Sequence, residues 1–265
     1  MLRGSEFTPG RLNSEELKKQ VYSQKILFFN PCRIFTKYCM NTWAEFLFRV
    51  YTNLNPPENL PGDVRWLYPQ GRQDVLTILK VFLQKYYADD RKRVLLLGIN
   101  PGRYGAGITG INFTAPKQLK EICGIDNPFS GTELSAEFIY KMIEAYGGVK
   151  RFYSNFFISS VCPLGFVQHG KNLNYYDDRR LLDTIEPFMI ENLTKLVSFN
   201  VNREICICIG GEKNFKYLSS LNNQYHWFQE IVSLPHPRFI MQYKRKFLDD
   251  HISHYLKVLK DNRRF

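Results

Sequence analysis

Four short apolar runs recur along the chain, at Val94–Asn100, Asn155–Val161, Glu204–Gly210 and Ile231–Leu234, separated by helical patterns at Ser135–Tyr146, Asp177–Phe199 and Lys213–Leu221. Apolar runs of strand length alternating with amphipathic segments of helix length predict the order β-α-β-α-β-α-β. Such strands form a mostly parallel sheet covered on both faces, so the expected class is α/β: a three-layer α/β/α domain with a central, mostly parallel four-stranded sheet. A further amphipathic helix over Gln73–Tyr87 turns Val75, Ile78, Leu79, Phe82 and Leu83 inward, and a last helix over Asp249–Lys260 closes the fold. Aromatic and aliphatic residues recur at helical spacing from Ile34 to Tyr51, and Asn55–Gly71, with its prolines and glycines, is expected to be a long loop. Residues up to about Lys25 are polar, with a short helix possible only over Glu15–Gln20, and the opening MLRGSEF resembles a cloning scar. The expected organisation is an N-terminal tail over residues 1–24 and a single domain over 25–265.

Each strand ends in a turn-forming or polar cluster: Asn100-Pro101-Gly102, Cys162-Pro163-Leu164-Gly165, Gly210-Gly211-Glu212 and Pro235-His236-Pro237-Arg238. Open α/β sheets bind ligands outside the carboxyl ends of their strands, so these clusters are expected along one functional rim. The stretch Val94–Thr114 is the most informative, because a buried strand there delivers one amide and then several exposed backbone groups to the sheet edge.

Charge narrows the partners. Lys and Arg number 36 against 25 acids, a net +11, and His236–Phe265 alone holds eight Lys and Arg against three Asp. A basic surface fits a polyanion, nucleic acid being the commonest; a solvated basic tail is the alternative. Cys32, Cys39, Cys123, Cys162, Cys206 and Cys208 show no paired-ligand spacing, so neither zinc nor an iron–sulfur cluster is indicated and no metal or cofactor is expected. No apolar run approaches the ~18 residues of a membrane span, and the first residues lack the apolar core of a secretory leader. The expected location is intracellular and reducing: cytoplasm or nucleoid in a bacterium, nucleus in a eukaryote.

Three rim segments, read in order, resemble the uracil-DNA glycosylase superfamily, specifically a divergent, bacterial-type relative of its single-strand-selective monofunctional branch. That branch carries G-M-N-P-G-P-F-G followed by T-G-V-P-F; here Gly98-Ile99-Asn100-Pro101-Gly102-Arg103-Tyr104-Gly105 is followed by Thr109-Gly110-Ile111-Asn112-Phe113. Its middle segment, N-L-C-P-L then G-R-N-L, corresponds to Ser160-Val161-Cys162-Pro163-Leu164 and Gly170-Lys171-Asn172-Leu173, and its H-P-S-P-R to His236-Pro237-Arg238. The similarity runs roughly from Asn53 to Leu259.

The resemblance implies a monofunctional DNA glycosylase of base excision repair that hydrolyses the bond between a deaminated base and deoxyribose. By that likeness Asn100 positions the attacking water, and His236 donates a hydrogen bond to uracil O2 as charge collects there. Phe113 stacks on the extruded base, and Ile99 and Gly102 offer backbone groups, with Gly102 leaving room at the pyrimidine 5-position. Arg238 is the expected wedge, and Tyr243, Lys244, Arg245 and Lys246 on the same loop are the expected strand and phosphate contacts. No lysine is marked as a Schiff-base former, so base release without strand cleavage is expected.

Where the branch reads the Watson–Crick edge with an Asn, this chain has Ser160, which satisfies uracil O4 and N3–H in fewer geometries. The expected substrate is therefore uracil, with xanthine and hypoxanthine as further candidates, in single-stranded DNA and more weakly in duplex, by a monomer. Two other readings stay open. One is a nucleic-acid-binding member of the fold without turnover, with Ser160 as the lesion. The other is a Rossmann-type cofactor enzyme, since Gly105, Gly107 and Gly110 match G-x-G-x-x-G. Context opposes the latter: no apolar helix follows the third glycine, and no acidic residue ends a second strand about 20 residues on. His251 and His254, beside Asp249 and Asp250, lack a third metal ligand, and His169 lies in a polar loop.

Overall fold

The structure, a computed structural model, describes residues 41–262. The tail, the Glu15–Gln20 segment, Cys32, Cys39 and the first part of the Ile34–Tyr51 pattern lie outside the described residues.

Four parallel strands form the central sheet: β2 (Arg93–Gly98), β3 (Phe156–Ser160), β6 (Val201–Cys208) and β7 (Glu230–Ser233), in the order β3-β2-β6-β7. Every residue of β2 is buried, which explains its unbroken apolar run: a central strand covered on both faces has no solvent side to alternate toward. Successive residues point to opposite faces, and β3 displays this. The ring of Phe157 meets Trp43 and Tyr87, whereas Phe156 meets Tyr146 and Phe152. Helices α1 (Trp43–Thr52) and α2 (Gln73–Tyr87) therefore cover one face, and α5 (Leu134–Tyr146) and α6 (Val149–Tyr153) the other. The three-layer α/β/α arrangement follows directly.

Arg93, the first residue of β2, is fully buried. Its guanidinium donates to the Tyr153 carbonyl at 2.7 Å and pairs with both Asp89 oxygens at 2.7 and 3.0 Å, so the buried charge is matched.

A second, smaller sheet is absent from the sequence reading. Within the expected loop lies β1 (Arg65–Leu67), which pairs antiparallel with β4 (Gly165–Gln168), which pairs in turn with β5 (Lys171–Leu173). Gly165 permits this strand to pass the Asn-Pro-Gly turn, because a Cβ there would lie 2.1 Å from the Pro101 carbonyl oxygen. The glycine-rich stretch folds as a four-residue helix, α3 (Ala106–Thr109), ended by Gly110 at φ 71°. A short α4 (Pro116–Glu121) follows. No long helix opens there to face a pyrophosphate, and the dinucleotide reading fails for that reason.

The remaining helices are α7 (Arg179–Val197), capped by Asp178, then α8 (Gly211–Tyr225), α9 (Pro237–Tyr243) and α10 (Leu248–Asp261). The segment from Arg238 to Tyr243 is thus a helix rather than the expected loop, with Ile240 and Met241 buried beneath it. Among the described residues no helix is long and apolar enough to cross a membrane.

Candidate active site

The carboxyl ends of the four parallel strands open into one cleft of about 360 Å³, whose lining includes Ile99 and Asn100 after β2, Ser160 at the end of β3, Gly210 after β6 and His236 after β7. Phe113, Gly102, Arg238 and Tyr243 line it too, so eight sequence-chosen positions meet in one place: these four with Ile99, Asn100, Ser160 and His236. Lys244, Arg245 and Lys246 do not line the cleft. They are exposed on the turn after α9, and Arg245 is tied to Glu137 of α5 at 3.2 Å.

The small sheet holds the Asn100 amide. Its Nδ2 donates to the Leu173 carbonyl at 3.2 Å, and its Oδ1 accepts from the Tyr175 N–H at 3.1 Å. These partners fix which end is oxygen, since the reverse orientation would set N–H against N–H and oxygen against oxygen. One Oδ1 lone pair remains for a water. The same hairpin pins the next turn, where the Asn172 side chain accepts from the Arg103 N–H at 3.1 Å. Behind Tyr175, its hydroxyl donates to Asn214 at 2.7 Å, and Asn214 in turn contacts the Gly98 carbonyl at 3.4 Å.

His236 caps α9. Its Nδ1 accepts from the Arg238 N–H at 3.0 Å, which leaves the neutral ring's proton on Nε2. Burial, reinforced by the Arg238 charge, lowers its pKa to about 4, so the imidazole is neutral at ordinary pH. The Tyr255 hydroxyl of α10 donates to the Pro235 carbonyl and anchors the approach to this histidine.

The Phe113 ring lies 6.1 Å from the His236 ring, centroid to centroid. It rests over Gly98, where a Cβ would come within 2.6 Å of the ring. Phe113 itself adopts φ 53°, a left-handed conformation costly for a bulky residue and typical of positions held for function.

Two features depart from the expectations. The space above Gly102 is not open: a Cβ there would meet the Glu133 carboxyl at 2.8 Å and the Asn172 amide at 3.4 Å. The expected room for a 5-substituent at that glycine is filled by these side chains. Ser160, moreover, does not stand alone, since its hydroxyl donates to Asn112 Oδ1 at 2.6 Å.

Sequence reasoning missed Asn112, Glu133 and Phe239. Burial raises the Glu133 pKa to about 7, with Arg238 pulling the other way. Nothing local marks Glu133, because it reaches the cleft only through the packing of α5 against the Gly102–Gly105 turn. Phe239 was legible in part: it stands four residues before Tyr243 on a helix, and the two exposed rings lie 5.6 Å apart at the cleft.

The parallel sheet thus brings an amide after β2 and an imidazole after β7 into one cleft. The uracil DNA glycosylase superfamily model matches residues 84–260, and the chain belongs to that superfamily. Among solved structures, wild-type SMUG2 from Pedobacter heparinus matches with 40% identity and a TM-score of 0.80, over 83% of this chain and 97% of that one. The chain is thus a uracil-DNA-glycosylase-like hydrolase with DNA as its substrate.

Proposed function

We propose that the protein is a monofunctional glycosylase of base excision repair that removes uracil, and with it xanthine or hypoxanthine, from DNA. The carrying observation is that Asn100 and His236, 136 positions apart in sequence, line one cleft with an acceptor lone pair and an N–H free for substrate. Breaking the glycosidic bond builds positive charge on the sugar and negative charge on the departing base. Asn100 Oδ1 orients water toward the sugar carbon, and His236 Nε2–H donates to the base oxygen as it gains charge. A neutral imidazole suits that task, because the donor needs no proton from solvent. Phe113 offers the stacking face for the extruded base, worth ~1–3 kcal/mol. Extrusion costs a few kcal/mol and least in single strands, which favours them as substrate.

Among the described residues no lysine lines the cleft, which supports base release without a Schiff base. Arg238, Phe239 and Tyr243 project from α9 beside the opening, where they would hold the gap left by the extruded base. Lys244, Arg245 and Lys246 follow as phosphate contacts outside the cleft. The test is a single-stranded oligonucleotide with one uracil, treated with protein and then with alkali. Breakage at the uracil only after alkali supports the reading; breakage before alkali contradicts monofunctional action, and none after alkali contradicts uracil excision. Parallel strands with xanthine or hypoxanthine define the base range.

A further inference from the structure

Two buried polar groups of the cleft, Ser160 and Asn112, 4% and 8% exposed, are joined by the 2.6 Å hydrogen bond. That bond uses the serine's one proton. Ser160 Oγ is left as an acceptor only, and with Asn112 Oδ1 turned to the serine the amide nitrogen is the donor end of the pair. Asn112 is also bonded to the Tyr51 hydroxyl, which is bonded to Ser159 as well. One hydroxyl engages at most one amide hydrogen, and the second remains for a ligand.

We propose that Asn112 is the specificity-determining residue of this cleft: with Ser160 beside it, it presents a donor next to an acceptor to the edge of the extruded base. The inference rests on the glycosylase reading. Uracil offers O4 beside N3–H, and xanthine and hypoxanthine offer O6 beside N1–H, so each matches the donor and the acceptor in order. Cytosine and adenine offer an amino group beside a bare ring nitrogen, the reverse order, and are refused. The pair therefore selects bases with a carbonyl next to a ring N–H, pyrimidine or purine; thymine and guanine share that pattern, so the pair itself discriminates against cytosine and adenine alone. The chain departs from the branch it resembles at two positions at once: the middle segment has Ser160 for Asn, and the first motif has Asn112 for Pro. The hydrogen bond between these two residues makes the pair of departures one change, an amide moved to the neighbouring segment.

The test measures kcat/KM on single strands carrying uracil or 2-pyrimidinone, which lacks both O4 and the N3–H, for wild type, Asn112→Ala and Asn112→Asp. Asp keeps the size but replaces the donor by an acceptor. Both variants are expected to lose about 10- to 100-fold of the preference for uracil over 2-pyrimidinone, while the affinity of Asn112→Ala for a strand with an abasic site, which has no edge to read, changes less than about twofold. An unchanged preference with abasic-site binding retained would overturn the proposal, as would wild-type excision of cytosine or adenine. If wild type released no base at all, the glycosylase reading would fail by itself. Anisotropy would then decide the inference: preference for a uracil over a cytosine strand, present in wild type and lost in Asn112→Ala, supports it, and any other pattern overturns it.

Discussion

Glu133→Gln isolates the energetic cost of placing a carboxyl in a cleft built for a polyanion. The carboxyl of Glu133 is raised from its ordinary 4.5 to about 7 by burial, against the opposing pull of Arg238. Below pH 4.5 both the folded and unfolded chains hold the proton. Between 4.5 and about 7 the folded chain holds a proton that the unfolded chain has released, so stability falls as pH rises through that window and stays lower above it. At ~1.36 kcal/mol per tenfold change in proton affinity the full penalty would be about 3 kcal/mol, and solvent access to this half-buried group reduces it to about 1–2 kcal/mol. Glutamine mimics the protonated form without titrating. Urea unfolding of both proteins at pH 4 and pH 8.5 is the assay: equal stability within experimental scatter at the lower pH, and the variant ahead by about 1–2 kcal/mol at the higher. The variant should also bind single-stranded DNA more tightly at pH 8.5, where wild type carries a negative charge in the cleft. A stability difference that is the same at both pH values would refute the reasoning, because it would mean Glu133 titrates alike in both states.

Other perturbations test other links. Gly98→Ala sets a methyl 2.6 Å from the Phe113 ring, and moving the ring about 1 Å to restore contact should slow single-turnover excision by about 10- to 100-fold; a wild-type rate would show that the ring position is immaterial. With the His236 pKa lowered to about 4, kcat/KM should show no inflection near the ordinary histidine value of 6.5 in the Glu133→Gln background, and one there would contradict the neutral donor. Arg93→Met strands the Asp89 carboxylate and the Tyr153 carbonyl, and because Asp89 is one-third exposed the loss in urea unfolding should be about 2–4 kcal/mol rather than the full cost of a broken buried pair.

What was legible in the sequence follows from range. The parallel strands announced themselves because burial on both faces writes a continuous apolar run, as in Val94–Leu97. The long helices did so through their apolar stripes, α2 burying Val75, Ile78, Leu79, Phe82 and Leu83 as expected. The strands of the small sheet are three or four residues long and include Lys171 and Asn172, so only their pairing defines them. Asn100 and His236 were visible because each follows a strand that ends at the rim. Asn112 stands inside the first motif, but its meaning depends on a hydrogen bond to a residue 48 positions away. Glu133 carries no motif, and the crowding at Gly102 comes from that same helix start together with Asn172 of β5.

The central claim is that Asn100 and His236 act together on one extruded base. Its most direct measurement is the single-turnover rate of uracil release from a single strand by wild type, Asn100→Ala and His236→Ala, with affinity for an abasic-site strand measured alongside. Each variant should slow release by about 10²–10³-fold while keeping that affinity, the size expected for loss of one transition-state hydrogen bond. Release at the wild-type rate by both variants would contradict the account.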